Sequence, residues 1–147
     1  MQSGLYLLAF IAGALLVIQT GMNIAIGRAY GGNFVGAALI NFTVGASGLL
    51  LFLLLTRAAL PQREQLAAVP GWAWFGGLIG AFYVATVTIA GPRVGALAVL
   101  ALTVAGQMAA SLMVDHFGLL GFAREPMTMI RLVGAALLFV GVLLIVR

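Results

Sequence analysis

Cysteine and lysine are both missing from this chain, and acids are nearly so. The seven basic residues are all arginine, against three carboxylates, Glu64, Asp115 and Glu125. Without a thiol there is no disulfide framework and no thiolate chemistry. Charged residues make up only 7% of the chain, whereas a soluble domain carries about 25%. So few charges leave most of a water-facing surface uncovered, which excludes a soluble globular domain. The net charge of +4 reflects the missing acids. The arginines are spread singly, and no basic cluster points to nucleic acid. There is one histidine, His116. With no cysteine and few carboxylates near it, it does not make a metal site.

What the chain does have is apolar length: 64% of its residues are hydrophobic and its mean hydropathy is +1.22. Crossing a hydrocarbon core of about 30 Å takes about 20 apolar residues in a helix. Five segments fit, at residues 4–27, 33–56, 72–90, 94–117 and 129–146. In hydrocarbon every backbone polar group must be paired within the protein, and a helix does this locally. The runs are continuous and lack the two-residue alternation of a barrel strand. The fold class expected is therefore all-α: a polytopic membrane protein with five transmembrane helices in a single domain. Residues 57–71, RAALPQREQLAAVPG, read as a loop, and GPR at 91–93 reads as a tight turn because Pro92 has no amide hydrogen to continue a helix. The opening MQSGLYLLAF lacks the basic start of a signal peptide, so none is expected.

Five spans place the two ends of the chain on opposite sides. The N-terminal side then holds Arg57, Arg63, Arg124 and Arg131, and the other side holds Arg28, Arg93 and Arg147. Orientation follows the side richer in Lys and Arg, and here the bias is almost nil. Two readings stand: one fixed orientation, or dual topology with copies inserted both ways and paired antiparallel.

Glycine is abundant, with 20 residues. Gly32/Gly36, Gly76/Gly80, Gly91/Gly95 and Gly106/Ala110 are spaced four apart. Such spacing lets helix backbones approach closely where lipid gives no hydrophobic drive for association. In the last span Gly134 and Gly141 fall a heptad apart on one face, a candidate dimer seam.

The polar residues inside the spans are ordered. Thr103, Gln107, Ser111 and Asp115 recur every four residues, which makes one slowly drifting stripe on a helix. Counted by rise per residue, Gln19, Asn41, Tyr83 and Thr103 lie at a common depth near the membrane midplane; Asn23 extends that layer one way, and Thr43, Ser47, Gln107 and Ser111 the other. Polar side chains at that depth need partners, a bundle interior or a wet cavity. Hydroxyls can bond back to their own helix, so Thr43, Ser47 and Ser111 read as glue. The carboxamides have more donors and acceptors than one neighbour satisfies, so both readings, glue and substrate cavity, remain for them. The candidate cavity set is Gln19, Asn23, Asn41, Tyr83, Thr103 and Gln107. No carboxylate sits at the centre of a span, which favours a small neutral or zwitterionic substrate over a lipophilic cation.

Asp115 lies near the end of its span, where a carboxylate opposes the helix dipole and wants a cation. His116, Arg57, Arg63, Arg124 and Arg131 are candidates on its side. Asp115 and Arg93 are the residues assigned to a gate or ion pair. Trp72 and Trp74 open a span and read as an interfacial aromatic belt. No nucleophile–base pair, phosphate loop or metal motif is present, so neither an enzyme nor a cofactor is expected.

IQTGMN at 18–23, the region from Asn33 to Ser47, WAWFGGLIGAFYV, GPRVGA, GQMAASLMVDHFG and the glycine-rich last span together resemble the YdcZ-like, five-helix branch of the drug/metabolite transporter superfamily. The resemblance covers nearly the whole chain, and GQ…DHFG is its most specific part. The last span also resembles the dimerising helix of small multidrug exporters, although this chain has no counterpart of their membrane-centre glutamate. The resemblance implies a bacterial inner-membrane location and a half-repeat that pairs antiparallel, with itself or a related second chain, into a ten-helix unit. It also implies export of small molecules by alternating access. The residues alone leave two other functions open: a non-transporting membrane subunit or assembly factor, and a passive channel.

Overall fold

The computed structural model describes residues 2–147. Every regular element among them is helical: α1 (Gln2–Ala29), α2 (Phe34–Leu55), α3 (Arg63–Ala67), a short 3₁₀ turn (Gly71–Phe75), α4 (Gly76–Val94), α5 (Ala96–Phe117) and α6 (Met129–Val146). Five of these helical stretches are long and apolar enough to cross a membrane. Large apolar side chains point outwards along them, with Phe10 at 76%, Leu55 at 75% and Ile130 at 81% exposure. This inverts the soluble pattern and suits a lipid solvent, in which helices gain little from hiding apolar surface.

The chain divides at Arg93 and Val94 into two compact units. In the first, α1 and α2 form a tight hairpin. Gly31 and Gly32 turn the chain with φ of 67° and 87°, values that favour glycine. The Oδ1 of Asn33 then accepts from the Gly36 amide at 2.8 Å and caps α2, as a helix start requires. The buried positions of this pair include Gly27, Ala37 and Ala38. Small residues there let the backbones approach, and the Phe34 ring occupies the space a side chain at Gly27 would need. α4 joins the hairpin at two other glycines. A methyl group at Gly91 would lie 3.0 Å from Ile24 Cδ1, and one at Gly80 would lie 4.0 Å from Phe42 Cζ.

Two local expectations are corrected. The 57–71 stretch is not loop throughout: α3 forms within it, with the Gln62 amide donating to Gln65 Oε1 at 2.9 Å. The GPR segment is not a turn: α4 runs through Pro92 and ends at Val94. Proline's φ is helical, and its ring affects the turn before it rather than the residues after it. The break comes instead at Gly95, whose φ of 87° and ψ of 152° leave helical space altogether.

The second unit is the α5–α6 hairpin, with Val99, Ala105, Ala135 and Val142 as its buried apolar residues. Gly118 ends α5 in the left-handed conformation, and the Leu119 amide reaches back to the Val114 carbonyl at 2.9 Å, the bonding of a glycine C-cap. Thr128 starts α6, its Oγ1 accepting from the Arg131 amide at 3.4 Å.

Candidate functional site

The first unit contains a polar contact between two spans. Asn23 on α1 is 1% exposed, and its Oδ1 accepts a 2.6 Å hydrogen bond from Nδ2 of Asn41 on α2. Thr88 on α4 is fully buried and returns its hydroxyl to the Val84 carbonyl at 2.7 Å. Gln19 and Tyr83 are half-buried in the same unit. Of the candidate cavity set, the structure thus joins Asn23 and Asn41 directly. Thr88 was not singled out from sequence, where a threonine in an apolar span carries no signal that distinguishes burial from exposure.

Losing one member of the asparagine pair strands the other. Asn23→Leu is expected to destabilise the detergent-solubilised protein by about 1 kcal/mol, measured by denaturant titration. The double change Asn23→Leu with Asn41→Leu recovers most of that loss, because it removes the orphaned amide as well.

In the second unit the polar stripe of α5 runs from Thr103 to Asp115 at the C-terminal end of the helix. Thr103 is half-buried and bonds back to the Leu100 carbonyl at 3.0 Å. Gln107 and Ser111 are exposed. The hydroxyls of Thr43 and Ser47 on α2 bond back to Leu39 and Thr43 carbonyls at 2.9 and 2.8 Å, while the Gln107 side chain has no hydrogen-bond partner among the described residues. A carboxamide facing hydrocarbon without a partner is costly, so this face calls for water, cargo or another polar surface.

At the end of the stripe Asp115 meets Arg131, which arrives in the first turn of α6: Oδ2 lies 3.6 Å from Nη1. The same guanidinium holds Glu125 Oε2 at 3.4 Å from Nη2. These groups are more than a third exposed, so the ion pairs fix geometry more than they add stability. Arg93, the other gate candidate, stands exposed in the last turn of α4 and joins no ion pair among the described residues. Glu125 was not anticipated, since an acid in a loop shows its pairing only once the loop is folded.

Along the opposite end of the α5–α6 hairpin runs an apolar groove of about 330 Å³, lined by residues that include Leu97, Leu100, Val104, Leu138, Gly141 and Ile145. A methyl group added at Gly134 or Gly141 would meet nothing within 4 Å. Neither glycine is therefore consumed by packing within the chain. Among the described residues no group of three His, Asp or Glu side chains could hold a metal.

The model of the family described as "Putative inner membrane exporter, YdcZ" matches residues 4–144. No curated protein and no solved structure matches the chain.

Proposed function

Because the chain belongs to the YdcZ family of inner-membrane exporters, and is thus a multi-pass inner-membrane protein of transporter rather than enzyme type, we propose that it carries a small neutral or zwitterionic molecule by alternating access. The working unit is two five-helix chains inserted in opposite orientations, copies of this chain or this chain with a related one. Exchange of the two partners' conformations would then open the path to either side of the membrane. Gln19, Asn23, Asn41, Tyr83, Thr103 and Gln107 are the residues assigned to the cargo path, and Asp115 with its Arg131 partner closes one membrane edge.

The observation that carries this reading is the exposed, unpartnered carboxamide of Gln107 on a helix fit to cross a membrane. Gln107 differs in this from Asn41, which has a partner in Asn23 within its own chain. The near balance of arginines between the two sides, together with the open faces of Gly134 and Gly141, supports the opposed pair. The test is purified protein in liposomes with a panel of small metabolites. Saturable exchange supports the carrier. Unsaturable flux would make the protein a channel, and no flux with any compound would make it a subunit of something else.

The seam has its own test. Gly141→Leu has room within the chain, so the monomer should fold normally. In a chain pairing through this face, the added side chain is expected to weaken self-association in detergent about tenfold or more, read by energy transfer between labelled copies. Unchanged association moves the seam elsewhere.

A further inference from the structure

The α5–α6 turn is an unusually constrained connection. Within four residues, Gly118, Leu120 and Gly121 take φ of 63°, 56° and 87°. Leucine has no ready access to the left-handed region, so the turn carries strain at Leu120, whose side chain is exposed. The contacts that close the turn converge on two neighbouring residues. The Asp115 carbonyl accepts from the Glu125 amide at 2.8 Å. The His116 carbonyl accepts from Arg124 Nε at 3.2 Å, and the His116 ring nitrogen Nδ1 accepts from the Met127 amide at 3.3 Å. The ring is half-buried and stands edge-on to Phe117, with centroids 4.8 Å apart.

A ring nitrogen accepts a hydrogen bond from an amide only while it carries no proton. The geometry points to His116 as a proton-binding site that releases the α5–α6 turn when it is charged. In the neutral ring Nδ1 offers its lone pair to Met127 and the loop is pinned at both of its ends. A proton taken from the water at the membrane edge occupies that lone pair, so Nδ1 and the Met127 amide become two donors facing each other. The Met127 bond is lost, and the turn is left with its remaining ties at the Asp115 and His116 carbonyls. The sign is therefore a turn tied down while the ring is neutral and loosened once it is charged.

The charged groups around the ring belong to each element that meets it: Asp115 on α5, Arg124 and Glu125 in the turn, and Arg131 on α6. The two carboxylates share the one guanidinium of Arg131, which keeps the end of α5 and the start of α6 together when the turn between them lets go. The inference goes beyond the carrier reading and does not depend on it. An acid-sensitive turn at one membrane face is equally possible in a channel or a subunit.

The absence of cysteine makes the test clean. Ala123→Cys places a single exposed thiol in the turn for a nitroxide label on the full-length protein in lipid nanodiscs. On acidification from about pH 8 to about pH 5, the range in which histidine commonly changes charge, the ratio of mobile to immobile spectral components is expected to rise about fivefold. His116→Asn keeps an oxygen or nitrogen near the Nδ1 position but cannot take up the proton, and should flatten the response. A label whose mobility is the same at both ends of the range overturns the inference, without need of any variant. So does a response that survives His116→Asn, since another group would then be the sensor. None of these readouts involves cargo, so failure here leaves the carrier reading untouched.

Discussion

Gln107→Ala is expected to reduce exchange in liposomes about tenfold or more while leaving the protein's yield, helical content and self-association unchanged. The reasoning rests on where the side chain stands. It is exposed on α5, with no partner among the described residues to lose. Truncation therefore costs the resting chain little. If cargo supplies the missing partner, each carrier cycle loses a hydrogen bond in a low-dielectric setting. Leaving a polar group of the cargo unpaired there costs about 1–3 kcal/mol, which is about tenfold or more in rate or affinity. Gln107→Glu extends the test, because it keeps the shape but replaces a donor with an acceptor. Unchanged exchange in Gln107→Ala removes Gln107 from the path, and loss of assembly would make it glue between chains.

Gly95→Val should be the most damaging single substitution outside the polar residues. One residue separates α4 from α5, so the break in helical backbone between two long helices falls on Gly95. Its φ of 87° and ψ of 152° lie in a region essentially closed to residues with a Cβ, and a β-branched side chain is the worst fit. Forcing valine there is expected to cost about 3 kcal/mol, read as a large drop in the denaturation midpoint in detergent. Space is not the obstacle, since a methyl group at Gly95 would meet nothing within 4 Å. The contrast with Gly141→Leu is instructive: that glycine has helical backbone and open space, so its loss should leave the chain folded. A Gly95→Val protein as stable as the parent would mean that the α4–α5 joint can adopt another backbone path.

Some of this was legible without coordinates. Continuous apolar runs of the right length imply helices because lipid offers the backbone no other partner, and the five observed helices lie within a few residues of the expected spans. Asn33 stood at the expected start of the second span, and it is the capping residue. The expectation for Pro92 failed because proline's missing amide weakens a helix without redirecting it. The helix ends where a residue leaves helical φ, and that residue is Gly95.

The ion pairs show the limit most clearly. Charge alone said that Asp115 wants a cation, and left several arginines and His116 to choose from. Arg131 takes the place because the 118–128 connection folds back and returns the chain beside the end of α5. The same closure brings in Glu125 and aims the Met127 amide at His116. Among the polar residues of the spans, position in the sequence could not tell Asn41, which meets Asn23, from Gln107, which has no partner among the described residues.

The apolar character of the spans and the number of long helices were therefore properties of the sequence by itself. They follow from local periodicity and from the fixed rise of a helix in a medium that cannot bond the backbone. Which polar groups meet was decided only by the tertiary structure. The rotation of one helix about its axis relative to the next is set by close packing at small residues and by a few glycine-dependent turns, and neither leaves a periodic trace in the chain.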